Sequence, residues 1–593
     1  MMMFSEIAVH PAVLFLGAAI GLACVRSGPV QRVLLLGTPV AALVAAIRLP
    51  DRFGTMHYLG MDMLFGRADA LSVLFLYSFI VMAALGALYS LQVRSRIRHA
   101  AAFAYAAGCT GVVLAGDFLS LFVFWELMAF ASVFLIWGGS ARSAAAGFRY
   151  ILVHAAGALV LLAGIVLRVY TGGSLAFEQL GAGGMSTADI LILTGFLLNA
   201  AVPPLHAWVA DAYPEASPGG VIFLCAFTTK TAVYVLARGF AGLEILAPLG
   251  AAMALIGVGY AVIENDARRI LAYHIISQVG YMVCAIGIGT DLAVNGACAH
   301  AFSNILNKGL LFMGVGAVVL QTGRGRLHQL GALARAMPRT LVLTMIGALA
   351  ISGLPLTGGF VSKSIVITAL EQAHRPGLEL MLMLASIGTF FSVGIKLPLC
   401  IWFGSLKADT CADQALGDPP WNMLLAMTLT AALSLAAGMF PGLLQALLPH
   451  QEICRIYSPA HVSHTLQLLA ATALGLYIIR GFLAPKPGIL LDVDWLYRRG
   501  ASLVMRLCAG PLNRMNERVN GLYQRAGVGP AQKASGALTL FDRSGIDGFI
   551  DGLAMAALVL GESLRVIQTG KIQHYIGGAV IFFFLLLIIV MLR

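Results

Sequence analysis

Asn199–Tyr234 reads NAAVPPLHAWVADAYPEASPGGVIFLCAFTTKTAVY. Pro203 and Pro204 interrupt one hydrophobic segment, and after a short polar link a second apolar segment carries Lys230 near its middle. A charge at that depth in a bilayer costs about 2.5–3.5 kcal/mol on insertion scales, so it must be paired, hydrated or functional. A helix can be interrupted inside a membrane only where protein or a water-filled cavity satisfies the freed backbone groups. A broken helix beside a buried ammonium is therefore a candidate site on physical grounds alone.

Working outward, the 593 residues are 59% hydrophobic and 11% charged, with a mean hydropathy of +0.88. Soluble domains carry about 25% charged residues, so this is an all-α polytopic membrane protein. The net charge of +11 fits basic loops against anionic lipid, and nucleic acid is not expected as a partner. The nine cysteines form no CxxC pair and most sit in apolar runs. They read as small core residues, so no disulfide framework, iron–sulfur cluster, metal or other cofactor is expected. The start, MMMFSEIAVHPAVLFL, lacks a basic n-region and a convincing cleavage site, so Val9 onward is expected as a retained first helix.

At about 20 residues per span, the chain is expected to hold about 16 spans. Residues 1–99 supply the N-terminal helices, 100–241 and 242–404 two halves, and 405–484 further helices. Residues 485–573 are longer, more polar and more charged. Within them Leu512–Ala526 and Ile546–Gln568 suit a helix lying on a membrane surface or against other helices. Residues 574–593 form a last anchor. Arg94, Arg96 and Arg98 fill one loop, Arg142 and Arg149 bracket another, and Arg268 and Arg269 mark a third. Arg324, Arg326, Arg335 and Arg339 occupy a fourth, and the span count puts all four on one side. By the positive-inside rule that side is cytoplasmic, which predicts both termini outside and 485–573 inside, in a bacterial-type cell membrane.

The break signal recurs at Ser352-Gly353-Leu354-Pro355. Lys363 follows Asn199 by 164 residues, and Lys396 follows Lys230 by 166. Two interrupted segments in corresponding positions point to the binding site of inverted-repeat transporters. Further ionisable residues lie inside spans: Glu126, Lys308, His154 and His300, with His206 beside the first break. Each has a plainer reading, as a hydrogen-bonded core group for the histidines and Glu126, and as a helix-end or snorkelling group for Lys363 and Lys396. The sharper reading is proton transfer, because low-dielectric surroundings bring the charged and neutral forms of amine and carboxyl close in free energy. No metalloprotease, nucleotide-binding or serine-elbow motif stands in a credible setting, so no catalytic centre is expected on this chain.

Several stretches together resemble a family. They are FVFWELM (Phe122–Met128), PLHAWVADAYPEA (Pro204–Ala216), FTTKTAVY (Phe227–Tyr234), DARRILAYHIISQVGYM (Asp266–Met282), HAFSNILNKGLLF (His300–Phe312) and SGLPLTGGFVSK (Ser352–Lys363). The family is that of the antiporter-like membrane subunits shared by respiratory complex I, membrane-bound hydrogenases and Mrp-type cation/proton antiporters. DVDWLYRRG (Asp492–Gly500) and SLRVIQTGKIQHY (Ser563–Tyr575) resemble members with a C-terminal lateral helix and a final anchoring span. The resemblance implies two inverted five-helix repeats, each with a broken helix, and a hydrated polar axis along the membrane centre. It implies a proton path in which Glu126 is the pairing glutamate, Lys230 and Lys308 are central lysines, and Lys363 is the terminal group at the second break. It also implies other membrane subunits as partners, protons or sodium as cargo, and no redox centre on this chain.

The chain departs from the family pattern at one telling place. Members usually carry a lysine five residues before the PLH motif, paired with the glutamate, and here that residue is Asn199. Asn304 likewise stands where many members have a second histidine, and Asp266-Ala267-Arg268 replaces a D-x-K. Lys230 or His154 is then expected to take over as partner to Glu126. Two other functions stay open at this point: a structural or partner-binding subunit with degenerate transport, and proton-coupled uptake of a small anion such as bicarbonate.

Overall fold

Side-chain caps start the early helices where the sequence turns from polar to apolar. The computed structural model describes residues 9–404, 416–479 and 492–592, apart from positions 59, 139, 182, 453, 567 and 569. Helix α1 (Pro11–Cys24) follows His10, whose ring accepts the Ala12 N–H, and α2 (Gly28–Ile47) comes after a three-residue turn. A feature the apolar pattern does not announce comes next, a hairpin of β1 (Arg52–Tyr58) and β2 (Met61–Arg67) paired antiparallel from Arg52↔Arg67 to Tyr58↔Met61. Asp69 and Ser72 form a capping box at α3 (Ala70–Tyr89), and Ser95 caps α4 (Arg96–Leu114). Asp117 caps α5 (Phe118–Ile136) through Oδ1, while its Oδ2 accepts the Leu64 N–H at 2.8 Å and ties the hairpin to the bundle. Ser140 and Ser143 box the start of α6 (Ala141–Tyr170).

The first break is present where the two prolines fall. Helix α7 (Thr187–Asn199) stops, and α8 (Ala207–Ala212) resumes after an irregular turn that includes a cis Pro203–Pro204 peptide and Ala201 at φ +58°. The freed groups find partners: Val202 N–H donates to Leu197 O, and the Trp208 indole N–H donates to Leu198 O at 3.0 Å. The following span, expected as one continuous helix, is kinked at Phe227 between α9 (Gly220–Ala226) and α10 (Thr228–Gly239). The Tyr105 hydroxyl accepts the Thr228 N–H at 2.9 Å, satisfying backbone that the kink sets free.

The second half runs through α11 (Leu246–Ile263), α12 (Ala267–Ile288) and the 32-residue α13 (Asp291–Thr322) to the second break. There α14 (Pro338–Ser352) ends on Gly353 in the left-handed region at φ +87°, and α15 (Gly358–Gln372) restarts after Leu356 at φ +70°. A glycine ends the helix without Cβ strain, and the Tyr457 hydroxyl accepts the Leu356 N–H at 3.1 Å. Helix α16 (Pro376–Thr389) then widens into π-type turns over Phe390–Lys396 and Leu399–Phe403. Helices α17 (Trp421–Met439), α18 (Pro441–Gln445) and α19 (Pro459–Ile479) close this unit, which extends to Asp494.

The second unit is residues 495–593. It continues α20 (Asp494–Leu507) through α21 (Asn513–Tyr523), α22 (Gly529–Leu540) and α23 (Gly548–Arg565), joined by π-type turns into one long helical run before α24 (Ile572–Met591). The turn at Cys508–Leu512 accommodates Pro511, which has no N–H to give a regular helix. The polar tail expected from Pro485 starts outside the described residues, as does the boundary expected near 405. Among the described residues thirteen helices are long and apolar enough to cross a membrane, and α1, α7 and α14 are apolar but shorter. The chain is thus a polytopic helical membrane protein.

Helices α11 and α12 are held by a seam of small residues. A Cβ placed on Gly250 or Gly257 would meet the backbone of α12, and one on Gly280 or Gly287 would meet the backbone of α11. Overpacking a close contact costs about 1–3 kcal/mol. Gly280→Leu is therefore expected to lower the melting temperature of the detergent-solubilised protein. Gly259→Ala, where nothing lies within 4 Å, should leave it unchanged or raise it, since alanine favours helix. Equal melting of both variants would contradict the seam.

Candidate functional site

Three lysines are buried in the core, on α10, α13 and α15. Lys230 and Lys308 are fully buried, and Lys363 is 8% exposed. The kink at Phe227 places the Lys230 Nζ 2.9 Å from the Cys225 carbonyl, with Thr229 Oγ1 at 3.4 Å. Lys308, in the middle of α13, donates to the Leu271 carbonyl of α12 at 3.2 Å. Lys363, one turn into α15, donates to Ser386 Oγ at 3.1 Å and lies 5.6 Å from the centre of the Tyr281 ring. Lys308 is within electrostatic reach of both other lysines. Among the described residues these ammonium groups are held by neutral oxygens and one aromatic face, with no carboxylate in salt-bridge range. Carbonyl and hydroxyl oxygens solvate an ammonium without fixing its charge, so each lysine keeps a reason to be charged and a freedom to lose it.

Histidines stand between the lysines. His300 Nδ1 is 3.0 Å from Ser362 Oγ, and its ring lies 5.4 Å from Tyr281, beside Lys363. His274 Nε2 is 2.6 Å from Ser392 Oγ, and its ring is close enough to feel both Lys308 and Lys363. Sequence reasoning misses His274, although the residue lies inside one of the family-like motifs. Its signal is an ionisable residue one turn after Ile270 in a helix that is buried almost throughout. Asn307, which accepts a 2.6 Å hydrogen bond from Ser434, adds another polar group along α13. Asn304 keeps both side-chain polar atoms buried without a protein partner among the described residues.

At the first break the arrangement is neutral. Asn199 ends α7, and its amide lies beside the His154 ring. That ring packs at 4.1 Å from Tyr150 and 4.6 Å from Trp208, and neither nitrogen completes a hydrogen bond among the described residues. Lys363, the expected counterpart of Asn199, stands in the helix after its break, whereas Asn199 stands in the helix before its own. A cavity of about 90 Å³ opens beside Lys363, lined also by Tyr281, Glu371, Ser386, His461 and His464. It is polar enough for water, which needs two to four partners.

Three expected residues lie away from this row. Glu126 is half-buried on α5, between the exposed Val123 and Phe130, with one carboxylate oxygen enclosed and unpaired among the described residues. It makes no hydrogen bond to Lys230 or His154. Lys230 is already occupied at the kink and His154 is enclosed by aromatic rings, so the expected direct pairing does not form. Lys396 donates to Val262 O at 2.8 Å and Glu264 O at 2.6 Å, at the carboxyl end of α11, where a helix dipole favours a cation. His206, just past the first break, lies 3.2 Å from the carboxylate of Asp492. Sequence reasoning also passes over Asp492, since nothing local marks a residue whose partners are more than 200 positions upstream. Among the described residues no cluster of three or more His, Cys, Asp or Glu is placed to hold a metal ion.

Residues 115–392 match the family model described as NADH:quinone oxidoreductase/Mrp antiporter, transmembrane region. The chain is 33% identical over 309 residues to NADH-quinone oxidoreductase subunit N of Desulforudis audaxviator, a match covering 48% of this chain and 62% of that protein. It is 28% identical over 351 residues to a Na(+)/H(+) antiporter subunit of Alkalihalophilus pseudofirmus, covering 56% and 71%. The matched part is therefore less than two thirds of the oxidoreductase subunit. Among solved structures, a chain of the membrane-bound sulfane sulfur reductase, an archaeal respiratory membrane complex, superposes with a TM-score of 0.68 at 23% identity, covering 98% of this chain and 99% of that one. The motifs, the fold and the family match agree: through residues 115–392 this chain is similar to the antiporter-like membrane subunits of the NADH:quinone oxidoreductase/Mrp type.

Proposed function

We propose that the chain is a proton-translocating, or cation/proton-translocating, subunit of a multisubunit membrane complex of Mrp antiporter or ion-pumping oxidoreductase kind. The observation that carries this reading is the row Lys230–Lys308–Lys363, interleaved with His274 and His300, in the buried core that also holds two helix breaks. Two unit charges about 4 Å apart interact by about 4 kcal/mol at an effective dielectric near 20. One proton crossing about 100 mV involves about 2.3 kcal/mol. A proton arriving at one lysine therefore drives the next towards its neutral form with enough energy to work against a membrane potential. Water beside Lys363 receives what the last lysine releases. Glu126, at the perimeter, sets the charge at the far end of the row and faces the place of a neighbouring subunit. The basic loops face the cytoplasm, and the tail lies on that side.

A second reading, a structural subunit with degenerate transport, draws on one specific observation: the pocket around His154 holds the neutral Asn199 where the family usually has a lysine. Two substitutions separate the readings. In inverted membrane vesicles carrying the complete complex, Lys308→Met is expected to reduce cation-dependent pH gradients at least tenfold while the subunits still co-purify. Unchanged gradients would contradict the lysine row. Asn199→Lys is expected to bring no gain, or a loss, because the aromatic cage around His154 has no counter-charge for it. A gain of transport would instead mark the native chain as degenerate. For Glu126→Gln, a weaker gradient is expected by the same assay, and an unaltered one would remove the glutamate from the path.

A further inference from the structure

Five hydroxyl groups meet in the buried core of the first half, and the lysine row uses none of them. They belong to Tyr105 of α4, Ser132 of α5, Tyr150 of α6, Tyr213 in the turn after α8, and Thr228 at the start of α10. All five residues are buried, and Thr228 is their centre. Its Oγ1 lies 2.5 Å from the Tyr105 hydroxyl, which also accepts the Thr228 N–H at 2.9 Å. The Tyr150 and Tyr213 hydroxyls both approach the same Oγ1. Tyr150 lies 2.9 Å from Ser132 Oγ, whereas the Tyr213 hydroxyl completes no hydrogen bond among the described residues.

The kink at Phe227 needs one acceptor for the N–H it frees, and Tyr105 alone supplies it. The other hydroxyls exceed that need. Each carries one donor and two acceptor positions, and in both the Tyr105–Thr228 and Ser132–Tyr150 contacts either oxygen can donate. When Ser132 donates to the Ala129 carbonyl at 2.8 Å, Tyr150 donates to Ser132. When Ser132 turns to Tyr150, the Tyr150 hydroxyl is free to rotate. The cluster also has two ends. Tyr213 is within electrostatic reach of Cys225, whose carbonyl holds Lys230. The Tyr150 ring lies 4.1 Å from that of His154, which stands beside Asn199. Both His154 nitrogens and the Asn199 amide nitrogen lack a completed hydrogen bond among the described residues, and three such groups suffice to hold one water. With asparagine at position 199, the row of ammonium groups stops at Lys230, one station short of the first break.

We infer that Tyr213, Thr228 and Tyr150 form a neutral hydroxyl relay that joins Lys230 to the Asn199–His154 pocket, in place of the charge this chain lacks there. The inference rests on the proposed translocation and names the residues of its first-half end. Lys230, on a flexible four-carbon stem, swings off the Cys225 carbonyl and gives a proton to the Tyr213 hydroxyl. Tyr213 passes its own proton to Thr228, Thr228 passes one to Tyr150, and Tyr150 passes one to the water held by Asn199 and His154. Each oxygen gains one proton and gives up another, so every hydroxyl ends neutral and the net change is one proton moved. Ser132 is a positioning residue that sets where the Tyr150 hydroxyl points, and Tyr105 is one that keeps Thr228 in place.

The test uses the complete complex in vesicles. Thr228→Val keeps the shape of the side chain and leaves Tyr105 to accept the backbone N–H, so the kink retains its partner. It is expected to lower cation-dependent pH gradients about tenfold or more, and Thr228→Ser, which returns a hydroxyl, should restore them. Tyr213→Phe removes a hydroxyl that bonds to nothing in the fold. It should therefore melt like the native chain and still transport several-fold less. Native transport by Thr228→Val overturns the inference, and so does an equal loss in Thr228→Val and Thr228→Ser, which marks a packing role. If Thr228→Val fails to accumulate, Tyr213→Phe decides: reduced transport supports the relay and native transport overturns it. Failure of both to accumulate marks the cluster as a structural clamp and overturns it as well. Lys308→Met separates the relay from the wider reading. A gradient lost there but kept in Thr228→Val overturns the relay alone, and a gradient unchanged in both overturns the translocation too.

Discussion

Every interrupted helix in a bilayer must find partners for the amide and carbonyl groups it frees, and the rest of this chain is arranged around that requirement. The solutions here are side chains delivered from elsewhere. Trp208 returns to Leu198 at the first break, Tyr105 of α4 takes the Thr228 N–H at the kink, and Tyr457 takes the Leu356 N–H at the second break. Once such partners are in place, carbonyl oxygens such as that of Cys225 are left facing inward, and an ammonium can rest on them. The position of Lys230 is therefore a consequence of the kink as much as a neighbour of it.

The same economy governs the charge. Lys230, Lys308 and Lys363 rest on a carbonyl, a carbonyl and a hydroxyl in turn. Where the chain does use full ion pairs, they sit towards helix ends, as with Arg238 on Asp69 and Arg149 on Asp211. A firm carboxylate partner would fix a lysine in its charged state. Weak neutral partners leave it able to respond to its neighbours.

What can be read from the sequence divides along physical lines. A lysine in a run of apolar residues, or paired prolines in a span, is conspicuous against its own neighbours, so Lys230, Lys308, Lys363 and both breaks are legible. The kink at Phe227 is not, because it arises where Tyr105 of another helix offers a hydroxyl, with no proline or glycine to announce it. The hairpin Arg52–Arg67 is hidden because its strands are seven residues each, too short to weigh against the spans around them. The expected pairing of Glu126 with Lys230 or His154 fails for a different reason. Spacing along the chain gives a residue's depth in the membrane but not the face of the helix it occupies. Asp492 shows the limit most plainly, since it binds Tyr273 across 219 residues.

The glycine seam between α11 and α12 has an electrical side. A proton path of the kind proposed would be useful only if it did not leak sideways, and leakage follows water. Where Gly250, Gly257, Gly280 and Gly287 bring two backbones into direct contact, no space remains between the helices for a file of water molecules. Backbone groups already paired within their own helices offer a proton nothing to hop onto. The smallest side chains in the bundle thus keep the α11–α12 contact dry, because nothing protrudes from either face.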